Sequence, residues 1–385
     1  MLSQKRQAAP ERVRYKTAAL RHDGAYWVRI ERFVEPLKFA EIDARHLGEG
    51  RFEVTTSNVA AFSLNLPKDW NLREVTLDGQ AMRVEGPPTF TRSARGTWSA
   101  GKLPDSLAKK KGLEGPIGDA FLGSFLLVRG TASDDPWERE VIRREVEARA
   151  HDWQRMFNCR PRVKDDTAVT DDDIAQHHLV LYGGPSANAL TARIAGKLPI
   201  AIERDRIRVN GKTFQGSDVG VKLCYPNPLN PERYAVVFAG LSPDALDQVN
   251  NRFGNWFGWG PFDNYDWFDY GVFDGRTLSP ETFLCVGFFD QAWGLDARWR
   301  FFGDDGIRAL RPPQRAPRLH ALPDPPPAEL YLSDLAPSLI DQHKGIVGYD
   351  RSFEGNELTL GADGRTFRRG LGVRPPSTID YAIDG

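Results

Sequence analysis

Apolar and polar residues alternate with a period of two along the first part of the chain. The alternation falls in short runs that begin at Val13, Ala25, Arg51, Val59 and Glu74. A period of two places successive side chains on opposite faces of a strand. Turn signals separate the runs at His22-Asp-Gly, Leu47-Gly-Glu-Gly and Leu77-Asp-Gly. Short strands divided by such turns predict that residues 11–85 form a β-sandwich.

Two segments have no sustained period and are predicted to be linkers. Residues 86–118 are rich in Gly, Pro, Ser and Lys, and we expect them to cross the surface of the protein. Residues 312–327 contain seven prolines, which stiffen the chain and remove backbone donors. The second linker therefore predicts a domain boundary before a final module at 328–385.

From residue 119 the pattern changes to apolar runs that alternate with helical stripes. Continuous apolar runs at Phe121–Val128, His178–Tyr182 and Tyr234–Ala239 are typical of strands covered on both faces. A long helix between the first two runs carries an apolar stripe at Ile142, Val146, Ala150, Trp153 and Phe157, and further helices begin near Ser186 and Ser242. Strands that alternate with helices predict a parallel sheet with helical crossovers. We therefore expect residues 119–311 to form a flavodoxin-like α/β domain, with a hairpin at 200–214 turned at Asn210-Gly211.

An aromatic stretch in the same domain is the strongest candidate for ligand binding. Its rings are Trp256, Phe257, Trp259, Phe262, Tyr265, Trp267, Phe268 and Tyr270, interleaved with Asp263, Asp266 and Asp269. Flat aromatic faces stack on the C–H faces of sugars, and carboxylates accept hydrogen bonds from sugar hydroxyls. The sequence therefore predicts carbohydrate contacts at Trp256, Trp259, Trp267, Asp263 and Asp266. Packing of these rings into a domain interface is the preferred interpretation, and exposure of the tryptophans would favour sugar binding.

Composition excludes several classes of partner. The formal net charge is −1, from 51 Lys and Arg against 52 Asp and Glu, so we expect no nucleic-acid binding. No run of 18 apolar residues occurs, and we expect no membrane insertion. Three well-separated cysteines have neither disulfide nor zinc spacing. The chain begins without the apolar segment of a signal peptide, so it is either cytosolic or the interior of a longer protein.

The sequence contains no recognisable set of catalytic nucleophile, base and acid. The nucleophile elbow Gly-x-Ser-x-Gly is absent, and none of the seven histidines lies near a recognisable nucleophile. A glycine-rich loop between strand and helix offers a weak anion-binding candidate at Gly183, Gly184, Ser186 and Asn188, although capping of the helix by Ser186 is the preferred interpretation. An autonomous α/β enzyme with its active site near this loop is the least favoured function for the chain.

No cofactor or metal site is assigned from the sequence. Asp165-Asp166 and Asp171-Asp-Asp173 offer oxygen ligands for a hard cation, but their spacing is not that of an EF-hand loop. A solvated loop that caps a helix is the preferred interpretation. Calcium binding is left open.

The last 58 residues resemble the NPCBM family of carbohydrate-binding modules. The resemblance is carried by Tyr331-Leu-Ser-Asp-Leu, then Asp350-Arg-Ser, then Gly370-Leu-Gly-Val and Ser377-Thr-Ile-Asp-Tyr. Arg374-Pro375 stand where the family usually has His-Ala. The resemblance implies a galactose-binding-like jelly roll, of which residues 328–385 hold about the first half, and it implies sugar contacts at Asp350 and Arg374.

The region upstream resembles the part that follows the catalytic domain in bacterial prolyl-oligopeptidase-like serine peptidases. The motifs are Gly115-Pro-Ile-Gly-Asp-Ala-Phe, Leu181-Tyr-Gly-Gly-Pro-Ser-Ala-Asn, Lys197-Leu-Pro-Ile and Tyr225-Pro-Asn-Pro-Leu-Asn-Pro. In those proteins the Ser-His-Asp set lies in the preceding hydrolase domain, so this resemblance transfers no catalytic residue.

Together these features predict a multi-domain α+β chain that works as a non-catalytic accessory region. We expect it to bind a polysaccharide or another glycan and to have once been attached to an exported serine hydrolase. The alternative is a part of a prolyl-oligopeptidase-like peptidase or esterase whose catalytic domain lies outside this chain. Both resemblances imply an extracytoplasmic location.

Overall fold

The computed structural model describes residues 8–84, 88–247, 267–277 and 282–305, together with parts of 319–381. The chain divides into two compact units. The first contains residues 1–114 and 289–294, and the second contains residues 115–288 and 295–385. Several separate sheets and a few helices build them, which confirms the prediction of a β-rich, multi-domain α+β protein.

Two five-stranded sheets build the first unit. The strands are β1 (Arg12–Thr17), β2 (Gly24–Ala25), β3 (Val28–Phe33), β4 (Ala40–His46), β5 (Arg51–Ser57), β6 (Val59–Leu64), β7 (Glu74–Leu77), β8 (Gln80–Arg83), β9 (Thr89–Arg92) and β10 (Trp98–Ala100). One sheet has the order β1-β4-β5-β7-β8 and the other has the order β10-β9-β6-β3-β2. Neighbouring strands are antiparallel except β5 and β7, which are parallel.

One hydrophobic core receives side chains from both of these sheets. Phe52 and Val54 enter it from β5, and Ile30, Phe62 and Phe90 enter it from the other sheet. Alternate residues face this core at Phe52 and Val54 of β5 and at Val28 and Ile30 of β3, as the period of two predicts, and a register shift after Ile30 interrupts the alternation in β3. Burial of apolar surface at about 25 cal/mol per Å² is the main force that holds the two sheets together.

The second sheet of this unit includes strands from the segment that the sequence predicts to be a linker. β9 pairs with β6, and β10 pairs with β9. Trp98 on β10 is buried, and its indole N–H donates to Asp78 at 3.0 Å. The two strands are short, with Gly96 at positive φ in the turn between them. Strands of this length show no sustained alternation, so the sequence pattern does not reveal them.

Strands and helices follow one another in the second unit before the C-terminal module. The strands are β11 (Phe125–Arg129), β12 (Arg162–Asp165), β13 (His178–Tyr182), β14 (Ala201–Ile202), β15 (Ile207–Val209), β16 (Lys212–Phe214), β17 (Gly220–Asn227), β18 (Asn230–Gly240), β19 (Tyr270–Phe273), β20 (Cys285–Phe289) and β21 (Leu295–Phe301). The helices are α1 (Pro136–Phe157), α2 (Asp171–Gln176), α3 (Ala189–Ala195) and α4 (Pro243–Leu246).

An eight-stranded mixed sheet has the order β12-β11-β13-β18-β17-β19-β20-β21. The first four strands are parallel, and β17, β19 and β20 join them with antiparallel pairing. The prediction of a parallel sheet is therefore right for one half and wrong for the other. A two-residue turn joins β17 to β18, and a connection of that length permits only antiparallel neighbours.

Helix α1 lies against this sheet through its apolar stripe. Asp135 caps its first turn by accepting from the Trp137 N–H at 2.8 Å, and Asn158 ends it in the left-handed conformation. Ile142, Val146 and Ala150 are buried, as the spacing predicts. Among the helices of the described residues, none is long and apolar enough to cross a bilayer.

The predicted hairpin at 200–214 is part of a three-stranded antiparallel sheet with the order β14-β15-β16. Asn210 and Gly211 form its second turn, both at positive φ, as the Asn-Gly pair predicts. The C-terminal module adds β22 (Leu339–Gln342), β23 (Gly348–Tyr349), β24 (Leu358–Leu360), β25 (Arg365–Phe367), β26 (Leu371–Gly372) and β27 (Ser377–Asp380). They pair in a nested antiparallel pattern, β22 with β27, β23 with β26 and β24 with β25.

Candidate functional site

Arg369 lies at the centre of a charged cluster in the C-terminal module. One terminal nitrogen of its guanidinium forms an ion pair with Asp334, and the other lies 3.4 Å from Asp350 Oδ2. Asp334 ends a short helical turn that begins at Leu332, while Asp350 directly follows β23. Because a guanidinium has donors on several sides of one plane, it can bind two carboxylates at once. Arg369 thereby connects three segments that are distant in sequence.

The strand pair β23–β26 positions Asp350 for this contact. The Asp350 N–H donates to the Gly370 carbonyl at 2.8 Å, and Asp350 Oδ1 accepts from the Gly370 N–H at 3.0 Å. Gly370 has a φ of 147°, in the region that favours glycine, and a Cβ there would lie 3.3 Å from Leu358. Backbone and side chain together hold the Asp350 carboxylate against Arg369.

Tyr331 adds an exposed aromatic ring to the cluster. The Arg369 guanidinium carbon lies 4.4 Å from the centroid of this ring, which is a cation–π contact. The Tyr331 hydroxyl donates to Glu329 Oε2 at 3.3 Å, and the nearby Glu329 carboxylate raises the pKa of Tyr331. Tyr331 is 41% exposed. The cluster therefore presents an aromatic surface beside carboxylates and a guanidinium, which are the groups that bind sugar rings and hydroxyls.

Comparison with known families supports a carbohydrate-binding module at this end of the chain. The NPCBM/NEW2 domain family matches residues 328–385. A search of curated proteins finds no match for the chain. The motifs Tyr331-Leu-Ser-Asp-Leu, Asp350-Arg-Ser and Gly370-Leu-Gly-Val each supply or adjoin a member of the Arg369 cluster. The structure thus brings together three of the four segments that carry the family resemblance, while the fourth forms β27.

Of the sugar contacts expected from the sequence, Asp350 and Trp267 lie in the described residues. Asp350 belongs to the Arg369 cluster. Trp267 is 48% exposed, with its ring 5.7 Å from Phe268 and 6.1 Å from Phe288 between centroids. The other expected contacts lie outside the described residues: Trp256, Trp259, Asp263, Asp266 and Arg374. The sequence pattern does not identify Asp334, Arg369 and Tyr331 as site residues, although Asp334 and Tyr331 lie within the motif Tyr331-Leu-Ser-Asp-Leu.

The end of the aromatic stretch contributes to the core of the second unit as well as to its surface. Phe268, Asp269 and Tyr270 directly follow the exposed Trp267 and are fully buried. The Asp269 N–H donates to Gly287 at 3.0 Å, and its carbonyl accepts from the Cys224 N–H at 2.8 Å. Within the described part of the stretch, Trp267 alone offers a ring to solvent.

The glycine-rich loop binds a carboxylate of the protein itself. Asn188 is the N-cap of α3, and its Oδ1 accepts from the N–H groups of Leu190 and Thr191 at 3.0 and 3.1 Å. Asp166 Oδ2 accepts from the remaining amide, that of Ala189, at 2.7 Å. Ser186 is exposed and is not the cap, because the turn through Gly183 and Gly184 delays the start of the helix by two residues. The amides at 189–191 thus already donate within the protein.

The acidic loop around α2 is held by internal contacts. Asp173 pairs with Lys164 at 2.7 Å and forms a capping box with Thr170. Burial alone would raise the pKa of Asp173, but these contacts hold it at about 2. Asp165 pairs with Arg129 at 2.6 Å. In the part of the chain that the structure describes, no group of three or more His, Cys, Asp or Glu side chains is placed to hold a metal ion.

Proposed function

We propose that this chain is a non-catalytic accessory region that binds a glycan through its C-terminal NPCBM-like module. The observation that carries the proposal is the convergence of three of the four family motifs on Arg369, beside the exposed ring of Tyr331. The proposal includes the finer fold names expected from the sequence: a β-sandwich, a flavodoxin-like α/β layer and a partial galactose-binding-like jelly roll.

In this proposal the ring of Tyr331 stacks on the apolar face of a sugar. Arg369 holds Asp334 and Asp350 in place, so that their carboxylates can accept hydrogen bonds from hydroxyl groups at little cost in conformational entropy. Trp267, with Trp256, Trp259, Asp263, Asp266 and Arg374, remains a set of proposed additional contacts. Each sugar contact is weak, and tethering of the module to a larger protein raises the effective affinity.

Affinity electrophoresis of the intact chain in gels that contain a neutral polysaccharide tests this function. Galactan, xylan and starch provide different sugars at the same net charge. We expect at least one of them to retard the chain, and we expect Tyr331→Ala to weaken the retardation about tenfold, as loss of a central aromatic contact does in other binding sites. Phe367→Ala is the matched control, since Phe367 is an aromatic residue of the same module with 44% exposure.

Two results would contradict the proposal. One is an absence of retardation in every gel of a panel that also includes acidic polysaccharides. The other is retardation that Tyr331→Ala and Phe367→Ala reduce to the same extent, because the exposed ring beside Arg369 would then have no special role. Circular dichroism of both variants checks that the fold is retained.

The proposed partner is the catalytic domain of an exported serine hydrolase. It is supported by the positions of residues that carry the upstream resemblance. The Gly115 N–H donates to the Tyr234 hydroxyl at 2.8 Å, and this hydroxyl donates to Asp119 Oδ2 at 2.7 Å. Asn227, from the proline-rich motif, is fully buried. The structural roles of these motif residues are the support for the proposed partner.

Turnover of a nitrophenyl ester and a proline-containing peptide separates this accessory function from an enzyme contained in the chain. We expect none from the intact chain, and we expect the adjoining upstream DNA to encode a Gly-x-Ser-x-Gly motif. Turnover that Ser186→Ala abolishes would instead establish the autonomous enzyme considered above.

A further inference from the structure

A second candidate site lies in the α/β part of the second unit, where two basic residues contact an exposed phenylalanine. Phe302 directly follows β21, and Lys212 begins β16. The Lys212 ammonium lies 3.8 Å from the centroid of the Phe302 ring, and the Arg300 guanidinium carbon lies 5.1 Å from it. Arg300 also donates to the carbonyl of Asn210 at 3.2 Å, which ties β21 to the turn before Lys212.

Neither of the two cations is neutralised by a carboxylate of the described residues. Nearby arginines contrast with them, since Arg206 pairs with Asp205, Arg208 with Glu203 and Arg298 with Asp296. The buried Nε–H of Arg300 has no hydrogen-bond partner among the described residues. Lys212 and Arg300 therefore carry positive charge that the surrounding structure leaves available.

The aromatic ring reduces the cost of binding an anion at this place. A free lysine or arginine side chain loses rotamer entropy when it binds a ligand, whereas Lys212 and Arg300 are already held by the ring. Phe302 is 44% exposed and the adjacent Phe301 is 48% exposed. The surface thus combines apolar rings with two positioned cations.

We propose that Lys212, Arg300 and Phe302 bind an acidic sugar of a polysaccharide chain, a uronate or a sulfated residue. The anionic group pairs with the two cations, and the apolar C–H face of the sugar contacts the exposed rings. The inference rests on the proposed function only in taking a glycan as the ligand, and it narrows that ligand to the acidic polysaccharides. Nucleic acid is the less favoured polyanion, because a chain of net charge −1 with two cations here lacks the many phosphate contacts that nucleic-acid binding uses.

The test is affinity electrophoresis of the intact chain in polygalacturonate, alginate and chondroitin sulfate, with galactan as the neutral reference. We expect stronger retardation in at least one acidic gel than in galactan, falling as salt is raised. Lys212→Glu should weaken that retardation about tenfold, and Phe302→Ala should weaken it several-fold with no change in net charge. Lys197→Glu is the matched control, since Lys197 is an exposed lysine of the same unit. Both tested residues are exposed, so neither substitution removes a buried contact.

Three results would overturn the inference. They are equal or weaker retardation in every acidic gel than in galactan, equal effects of Lys212→Glu and Lys197→Glu, and affinity for double-stranded DNA that matches the affinity for the best acidic polysaccharide. The first of these leaves binding to neutral glycans by the Tyr331 site intact. Conversely, acidic binding that responds to Lys212→Glu supports this inference, and neutral-glycan binding that does not respond to Tyr331→Ala contradicts the placement of the first glycan site at Tyr331.

Discussion

Acidification should destabilise the second unit through one buried histidine, His178. Its Nδ1 accepts a hydrogen bond from the Tyr234 backbone N–H at 2.9 Å, so the ring is neutral with its proton on Nε2. Protonation of Nδ1 would break this hydrogen bond, because the Nδ1–H and the Tyr234 N–H would both be donors. Burial, with smaller contributions from the charge of Arg233 and from the neighbouring His177, lowers the pKa of His178 to about 4.

The sign and size of the effect follow from proton linkage. The unfolded chain binds a proton at His178 with a pKa near the ordinary value of 6.5, while the folded chain resists protonation down to about pH 4. The stabilisation is therefore complete above pH 6.5 and is lost as the pH falls through this window. Because each pH unit is worth about 1.4 kcal/mol, the free energy of unfolding falls by about 2 kcal/mol between pH 6.5 and pH 5.

Urea unfolding at pH 7 and at pH 5, followed by circular dichroism and tryptophan fluorescence, measures this loss. A fall of 2 kcal/mol corresponds to a midpoint lower by about 1 M urea for a slope of 2 kcal/mol per M. His178→Asn keeps an acceptor near the position of Nδ1 and cannot titrate, so its midpoint should change little between the two pH values. His151→Asn, on the exposed side of α1, is the matched control. Midpoints of wild type and His178→Asn that fall in parallel would refute the reasoning.

Three further substitutions test, by urea unfolding, contacts that lie within one or the other of the two units. Tyr234→Phe removes the buried hydroxyl between Gly115 and Asp119, and it should lower the free energy of unfolding by about 2–4 kcal/mol. Asp166→Ala removes the carboxylate from the start of α3, and it should cost about 1–2 kcal/mol. Asn58→Ala should cost about 2 kcal/mol, because Asn58 has a positive φ and its side chain holds the β3–β4 loop with three hydrogen bonds. A Tyr234→Phe midpoint within error of wild type would contradict the role of the hydroxyl, and an Asp166→Ala protein with unchanged amide exchange at Ala189 would contradict the Asp166 contact. An Asn58→Ala protein as stable as wild type would contradict the role of the three Asn58 hydrogen bonds.

The elements that the sequence predicts well are those with a long, regular pattern. The alternating strands of the first unit and the stripe of α1 at Ile142 and Val146 lie where the periods place them. The sequence pattern does not reveal β17, because Lys222 and Pro226 interrupt its apolar run. The strand is nevertheless buried along nearly its whole length. The antiparallel half of the eight-stranded sheet follows from β17, and without this strand the sequence predicts a parallel sheet only.

The candidate site was harder to predict because its members are brought together by long-range contacts. Asp350 was expected from its family motif, but the position of Arg369 between two carboxylates depends on the β23–β26 pairing. The N-cap of α3 is Asn188 and not the predicted Ser186, again because the local sequence does not decide the geometry. Ser186 and Asn188 are both good capping residues, and the turn geometry of the preceding glycines decides between them.

The β17–β18 hairpin has a consequence for the order in which the second unit folds. Its turn of two residues closes a short loop, whereas β13 can join β18 only after some 50 intervening residues have been brought back to the same place. The entropy of loop closure grows with the length of chain enclosed, so we expect this hairpin to form early. The parallel strands would then add on one side and the antiparallel strands on the other, with this hairpin as the folding nucleus of the sheet.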